Sequence, residues 1–336
     1  MFAPIHHLHF FGWFNGLVAF SICAGFLPVI CLFAERWKLH DPPGALKIHS
    51  APTARIGGIA IGISLAIGIS IGGAGFFSRA LGFYLALLVI WAVGLLDDLF
   101  TLSVPIRLLA QVSAGLLVAL TPWRLSLFSN SFLNVVATCF FVLIFVNSFN
   151  FFDGADGLAA GVAGLVGLGY ILLYTLHADT VGAAVAWSLF GSCAAFLFFN
   201  FPPARIFMGD SGSTALGLVV AFLGLDFYRA HYAIGTHLLL PLVFAGLPLM
   251  DFFLAVFRRL RKGVSPFSGD RQHIYDLLRH HGWSARPLAL GAYLATGVFL
   301  LGGALCDQSN WLFSLFGIAL LFGYLLFAAI WLGALR

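Results

Sequence analysis

Long apolar runs separated by short polar breaks cover almost the whole of this chain. A membrane-spanning helix needs roughly 20 consecutive apolar residues. Eleven stretches approach that length: 12–34, 57–76, 80–96, 107–121, 132–147, 159–177, 181–200, 213–228, 236–257, 287–305 and 311–333. Several are short or rich in glycine, a residue that lets spanning helices approach one another closely. The longest polar breaks, 35–55 and 258–286, are too short to bury a core of their own. The pattern predicts an all-α polytopic integral membrane protein with about 10–11 transmembrane helices, forming a single membrane domain over 1–336.

Composition agrees with the pattern. With 61% hydrophobic residues, 9% charged residues and a mean hydropathy of +1.01, a soluble globular domain is excluded. The first apolar run has neither a basic segment before it nor a small-residue cleavage site after it, so it reads as a retained helix rather than a signal peptide. Cys23, Cys31, Cys139, Cys193 and Cys306 fall in or beside apolar runs without CxxC spacing and read as small packing residues.

Charge placement sets a topology. Of 17 Lys and Arg residues, 14 fall in one set of alternate breaks or at the C-terminus, and only Arg79, Arg124 and Arg229 fall in the other set. The positive-inside rule makes the rich side cytoplasmic, with the N-terminus outside and the C-terminus inside. Every polar motif then lies on that face, which predicts one cytoplasmic-face active site.

Four acidic islands interrupt the apolar pattern. A carboxylate at the bilayer centre costs about 3 kcal/mol on insertion scales, so such residues need a partner or a wet site. Asp97-Asp98 closes an apolar run, where adjacent like charges repel each other and the helix dipole opposes them; a cation or a shared proton would offset both. Asn147, Asn150, Asp153 and Asp156 recur every three residues and would form one polar stripe if helical; a plain Asn/Asp/Gly turn is the alternative. Met208-Gly209-Asp210-Ser211-Gly212-Ser213 opens a helix. It reads either as an ordinary N-cap or as a metal-holding Asp210 beside N–H groups offered to phosphate. Ser265–Asp276, with Asp270, follows a basic run; its Arg271 and His273 could grip a diphosphate, or the basic loop could merely mark topology. Asp251 within an apolar run, the outer-side His6, His7 and His9, and the 37 Phe residues read as packing or interfacial material.

Together the islands resemble the polyprenyl-phosphate N-acetylhexosamine-1-phosphate transferases, the family of phospho-N-acetylmuramoyl-pentapeptide translocase and the undecaprenyl-phosphate GlcNAc-1-phosphate transferases. The likeness runs from about Lys38 to Gly282. It is carried by Asp41-Pro42 through Lys47-Ile48-His49 and Gly57-Gly58, by Asp97-Asp98, by Asn147 to Gly157, by Met208 to Ser213, and by Ser265 to His273.

The resemblance implies transfer of a sugar-1-phosphate from a UDP-N-acetylhexosamine to undecaprenyl phosphate, with release of UMP and a need for Mg²⁺, or Mn²⁺ in its place. It implies a bacterial plasma-membrane enzyme in contact with membrane lipid; a homodimer is compatible with it, and no nucleic-acid partner is expected. By the same resemblance Asp210 is the direct metal ligand, with Asp98 and Asp156 beside it. Asp97, Asp98, Asp153, Asp156 and His273 form the catalytic set, and Lys47, His49, Asn147, Asn150, Arg271 and Ser211 bind substrate.

Relatives place further His after the one matching His273, where this chain has Tyr275 and Asp276. The wording of that loop is nearer the GlcNAc branch than the muramoyl-pentapeptide branch. An ion-coupled secondary transporter would place its acids near the midplane, and the Arg expected after Asp153-Gly154 in a CDP-alcohol phosphotransferase is missing.

Overall fold

The computed structural model describes residues 9–37, 40–41, 53–71, 79–177, 181–230, 239–267, 269 and 271–307, with scattered positions between 315 and 334. Its helices are α1 (His9–Trp37), α2 (Gly58–Ser70), α3 (Leu81–Phe100), α4 (Val104–Ala119), α5 (Ser131–Phe152), α6 (Leu158–Leu176), α7 (Val181–Asn200), α8 (Gly209–Ala230), α9 (Leu240–Phe244), α10 (Gly246–Arg261), α11 (Ile274–His280) and α12 (Ala285–Asp307). Among the described residues seven helices are long and apolar enough to cross a membrane, and α2 and α4 are shorter apolar helices. Large apolar side chains such as Leu109, Phe198 and Leu294 point outward. On a water-soluble protein such a surface would drive aggregation; against lipid chains it costs nothing. The apolar run at 311–333 lies largely outside the described residues.

Helix α8 is the axis of the bundle. Every residue from Gly209 to Tyr228 is buried except Asp210. It is packed by α3, α5, α2 and α6. Gly94 of α3 permits one of these close approaches: a Cβ there would stand 2.6 Å from the Ser211 Cα, an atom that cannot step aside.

Two departures from the apolar pattern have local causes. The run at 236–257 is broken at Ala245 into α9 and α10. Pro248 has no N–H to offer the carbonyl four residues earlier, so the helix restarts instead of continuing. The polar stripe expected from Asn147 to Asp156 is only half helical: α5 ends at Phe152, Asp153 caps it, and residues 153–157 turn into α6.

A short antiparallel pair, β1 (His40–Asp41) with β2 (Thr53–Ala54), precedes α2. Its second strand is sewn to the segment before α8. Phe207 N–H donates to the Ala54 carbonyl at 2.7 Å, and Gly57 and Gly58 N–H donate to the Phe207 and Met208 carbonyls. That seam carries Arg55 to the N-terminus of α8. At the far end of the bundle Asp226 is buried, accepting from Trp123 Nε1 and from the Tyr174 hydroxyl at 2.8 Å.

Candidate active site

The ends of α3, α5 and α7 and the starts of α4, α6 and α8 meet at one end of the bundle, and all the acidic islands except the 265–276 loop converge there. Between α3, α4, α5 and α8 lies a cleft with about 620 Å³ of open space. Asp97, Arg107, Gln111, Asn147, Asn150, Asp210 and Thr214 supply its polar lining, against an apolar wall that includes Ile90, Val93, Phe151 and Phe267.

The two adjacent acids of α3 do different jobs. Asp97 faces the cleft. Its Oδ1 accepts from Leu102 N–H at 2.5 Å, and its Oδ2 accepts from Arg107 Nη1 at 3.2 Å. Asp98 turns the other way, with its side chain fully buried. It accepts from Asp210 N–H at 2.7 Å, from Ser211 N–H at 3.0 Å and from the Ser211 hydroxyl at 2.8 Å. Asp98 therefore caps α8 from another helix, where a carboxylate meets both free N–H groups and the positive end of the dipole. Gly209 makes room for it: φ is +68°, and a Cβ there would meet the carboxylate at 2.5 Å.

Four expectations change as a result. Asp210 and Ser211 do not cap α8 with their own side chains, since Asp98 does. The N–H groups expected to receive phosphate already have an acceptor. Asp98, expected as a metal ligand, has both oxygens engaged, and Ser211, expected on substrate, is buried in the helix contact.

Asp210 does face the cleft. Its Oδ2 accepts from Arg107 Nη1 at 3.4 Å, and its Oδ1 lies 3.8 Å from Arg55 Nη2. Asn147 exchanges hydrogen bonds with Gln111, its Nδ2 donating to Oε1 at 2.6 Å. Asn150 Nδ2 donates to the Ser213 hydroxyl at 3.1 Å. Asp153 is half-buried and is not among the residues lining the cleft. Burial, with the neighbouring Asp210 carboxylate adding to it, pushes its carboxyl well above the ordinary range, and Arg55 partly offsets the rise. Asp156 is taken up by the fold, accepting from Ala204 N–H at 3.0 Å. Asn200 completes that joint, accepting from Gly157 N–H and donating to the Ile206 carbonyl.

The 265–276 loop lends Phe267 to the cleft wall, and its remaining described residues are not among those lining the cleft. His273 is buried, its Nδ1 2.6 Å from Asp251 Oδ2 and its Nε2 3.4 Å from Arg259 Nη2. The other Asp251 oxygen accepts from Ile274 N–H at 2.7 Å. A carboxylate at Nδ1 and a guanidinium at Nε2 describe an imidazole protonated on Nδ1 and accepting on Nε2. Phe151 separates this group from the cleft, with Arg259 over its face at 4.8 Å and the His273 ring edge-on at 5.8 Å. Tyr275 is stacked on His273 and lies directly against Gly154. Asp251 thus has a partner that its place in an apolar run did not reveal. Arg271 is exposed on the loop and is not among the residues lining the cleft. Lys47, His49, Ser268 and Asp270 lie outside the described residues.

From the sequence alone Arg55, Arg107 and Arg259 read as topology charges and Asp251 as packing material, and Gln111 and Asn200 went unremarked. A signal existed for two of them: Arg107 and Gln111 are four apart, so they share one face of α4, and a cation in a first helical turn opposes the dipole.

Among the described residues no three acidic, imidazole or thiol groups form a ready-made cation site. The donor set fits Mg²⁺ nonetheless. That ion is usually held by one or two carboxylates together with substrate phosphates rather than by an all-protein cage. Asp97 and Asp210 are two such carboxylates, already bridged by one cationic group.

Comparison with known proteins gives the arrangement a context. Residues 80–228, which span α3 to most of α8, match the family model for Glycosyl transferase family 4. The chain is 29% identical over 305 residues to a probable undecaprenyl-phosphate N-acetylglucosaminyl 1-phosphate transferase of Bacillus subtilis (strain 168), covering 88% of this chain and 84% of that protein. It is 30% identical over 300 residues to the undecaprenyl-phosphate alpha-N-acetylglucosaminyl 1-phosphate transferase of Escherichia coli (strain K12), covering 82% and 79%. It is also 30% identical over 327 residues to a decaprenyl-phosphate N-acetylglucosaminephosphotransferase of Mycobacterium leprae, covering 86% and 82%.

Proposed function

Because the chain belongs to the family of polyprenyl-phosphate N-acetylhexosamine-1-phosphate transferases, we propose that it transfers N-acetylglucosamine-1-phosphate from UDP-N-acetylglucosamine to undecaprenyl phosphate, releasing UMP. The N-acetylglucosaminyl names of its relatives favour that donor over a muramoyl-pentapeptide one. The observation that carries the reading is the cleft itself, where Asp97, Asp210 and Arg107 face Asn147 and Asn150 at one end of an apolar bundle. Acids gathered at a bundle end also argue against an ion-coupled transporter. The enzyme is a multi-pass protein of the bacterial plasma membrane, with the cleft on the cytoplasmic face, the N-terminus outside and the C-terminus inside.

The reaction sets the demands on these residues. An oxygen of the lipid phosphate attacks the β-phosphorus of the UDP-sugar. The bond from that phosphorus to the oxygen bridging the α-phosphate breaks, and UMP leaves with the bond's electron pair. The attacking oxygen is already ionised near neutral pH, so no proton has to be removed, and Asp97 need not act as a base. What must be overcome is repulsion between two polyanions in a site already holding several carboxylates. Arg55 and Arg107 supply fixed positive charge for this, and Asn147 and Asn150 supply neutral amides that orient oxygens without adding charge. Mg²⁺ held by Asp210 with Asp97 would screen the phosphates and stabilise charge on the leaving group.

Asp98, Asp156 and Asn200 hold the elements that carry the reacting groups. The Asp251–His273–Arg259 set braces the cleft through Phe151.

The test is release of UMP by purified protein from a panel of UDP-N-acetylhexosamines, with and without undecaprenyl phosphate and Mg²⁺. The expected result is release that requires both additions and is fastest with UDP-N-acetylglucosamine. Release independent of the lipid phosphate, or none with any donor, would overturn the proposal.

A further inference from the structure

Arg107 stands at the unfavourable end of its helix. It falls in the first turn of α4, where the positive end of the helix dipole repels a cation. Two carboxylates from other helices hold it there: Nη1 donates to Asp97 Oδ2 at 3.2 Å and to Asp210 Oδ2 at 3.4 Å. The remaining Asp97 oxygen is taken by Leu102 N–H, and the remaining Asp210 oxygen faces Arg55. Within the cleft, the oxygens best placed to bind a cation are therefore those the guanidinium already engages.

We propose that Arg107 is an internal cation that competes with the divalent metal for Asp97 and Asp210. It balances the acidic pair when the metal is absent and is released towards substrate phosphate when the metal binds. The inference rests on the reading of Asp97 and Asp210 as the metal-holding pair. The exchange is chemically even-handed, because a guanidinium pairs as readily with phosphate as with carboxylate. It also couples two events: metal binds weakly to the substrate-free site and tightly once a phosphate is present to accept Arg107.

A purified, metal-stripped full chain in detergent, without donor or lipid phosphate, is titrated with Mn²⁺, and free Mn²⁺ is read by electron paramagnetic resonance. Arg107→Gln and Arg107→Met are expected to bind Mn²⁺ roughly tenfold more tightly than wild type, the loss of about one charge-assisted contact, and Arg107→Lys to stay near wild type. The same Gln and Met variants should turn over at least about tenfold more slowly at saturating Mg²⁺, because the group meant for phosphate is gone. A residue that merely props the loop would weaken metal binding and activity together.

Arg55→Gln removes an equal charge from a longer contact, 3.8 Å from Asp210, and should tighten Mn²⁺ less. Equal tightening by Arg55→Gln would overturn direct competition in favour of a general field effect. Unchanged or weaker binding in the Arg107 variants, with wild-type binding that Asp210→Asn abolishes, would overturn the inference and leave the metal site standing. Absence of binding in wild type and Arg107 variants alike would overturn the metal site itself.

Discussion

Asp98 and Asp210 are both carboxylates at the α8 N-terminus, yet the same isosteric change should affect them in opposite ways. In Asp98→Asn an acceptor of three hydrogen bonds becomes in part a donor pointed at backbone N–H groups, which should cost about 1–3 kcal/mol. Thermal unfolding in detergent should fall by several degrees. Asp210→Asn removes charge from a crowded acidic site, so Tm should hardly move while UMP release falls by at least about a hundredfold. A stable, active Asp98→Asn protein would contradict the capping role, and an active Asp210→Asn protein would contradict its place in the chemistry.

At Tyr275 the structure changes what a substitution should do. Its ring lies buried against His273 and Gly154, so Tyr275→His should lower the rate for all UDP-sugar donors about equally through loss of packing. A shift in donor preference would show that it touches the sugar. Asp251→Asn should cost about 2–3 kcal/mol and loosen the 265–276 loop, because it removes a buried acceptor from both His273 and Ile274.

Among the elements, α8 has the least freedom. It is packed on all sides, and its docking on α3 depends on Gly94. Gly94→Ala sets a methyl group against the Ser211 backbone and should destabilise the protein by about 1–3 kcal/mol. Because Asp98 lies on the same helix as Gly94, the shift should also disturb the cap and slow turnover. The measurement is Tm and UMP release on one preparation; unchanged values for both would mean that α3 can move away from α8 without cost. The break between α9 and α10 matters for a related reason. It sets the direction in which α10 presents Asp251 and Arg259 to the loop behind Phe151.

At the scale of the molecule, the two ends of the bundle are chemically unlike. Asp210 and Asp226 are 16 residues apart on α8, roughly 24 Å by helical rise. The first sits in an open acidic cleft, and the second is buried against Trp123 and Tyr174. If the cleft faces the cytoplasm, Ser103→Cys should react in intact cells only with a membrane-permeant thiol reagent. Ser129→Cys at the opposite end should react with an impermeant one. Both positions are exposed. The reverse pattern would invert the topology.

Apolar run length was enough, without coordinates, to establish a helical membrane bundle, and charge asymmetry gave an expected orientation for its polar islands. Both properties act through the bilayer, which reads each segment independently of the others. The motifs also brought Asp97, Asp210, Asn147 and Asn150 into one candidate site. Their division of labour was not legible, because neighbours in sequence point in different directions from a helix: Asp97 enters the cleft and Asp98 turns to α8. The roles of Arg107, Asn200 and Asp251 depend on partners on other elements, 103, 43 and 22 residues distant. Only packing brings such groups within hydrogen-bonding reach, and no local pattern encodes which helix ends will meet.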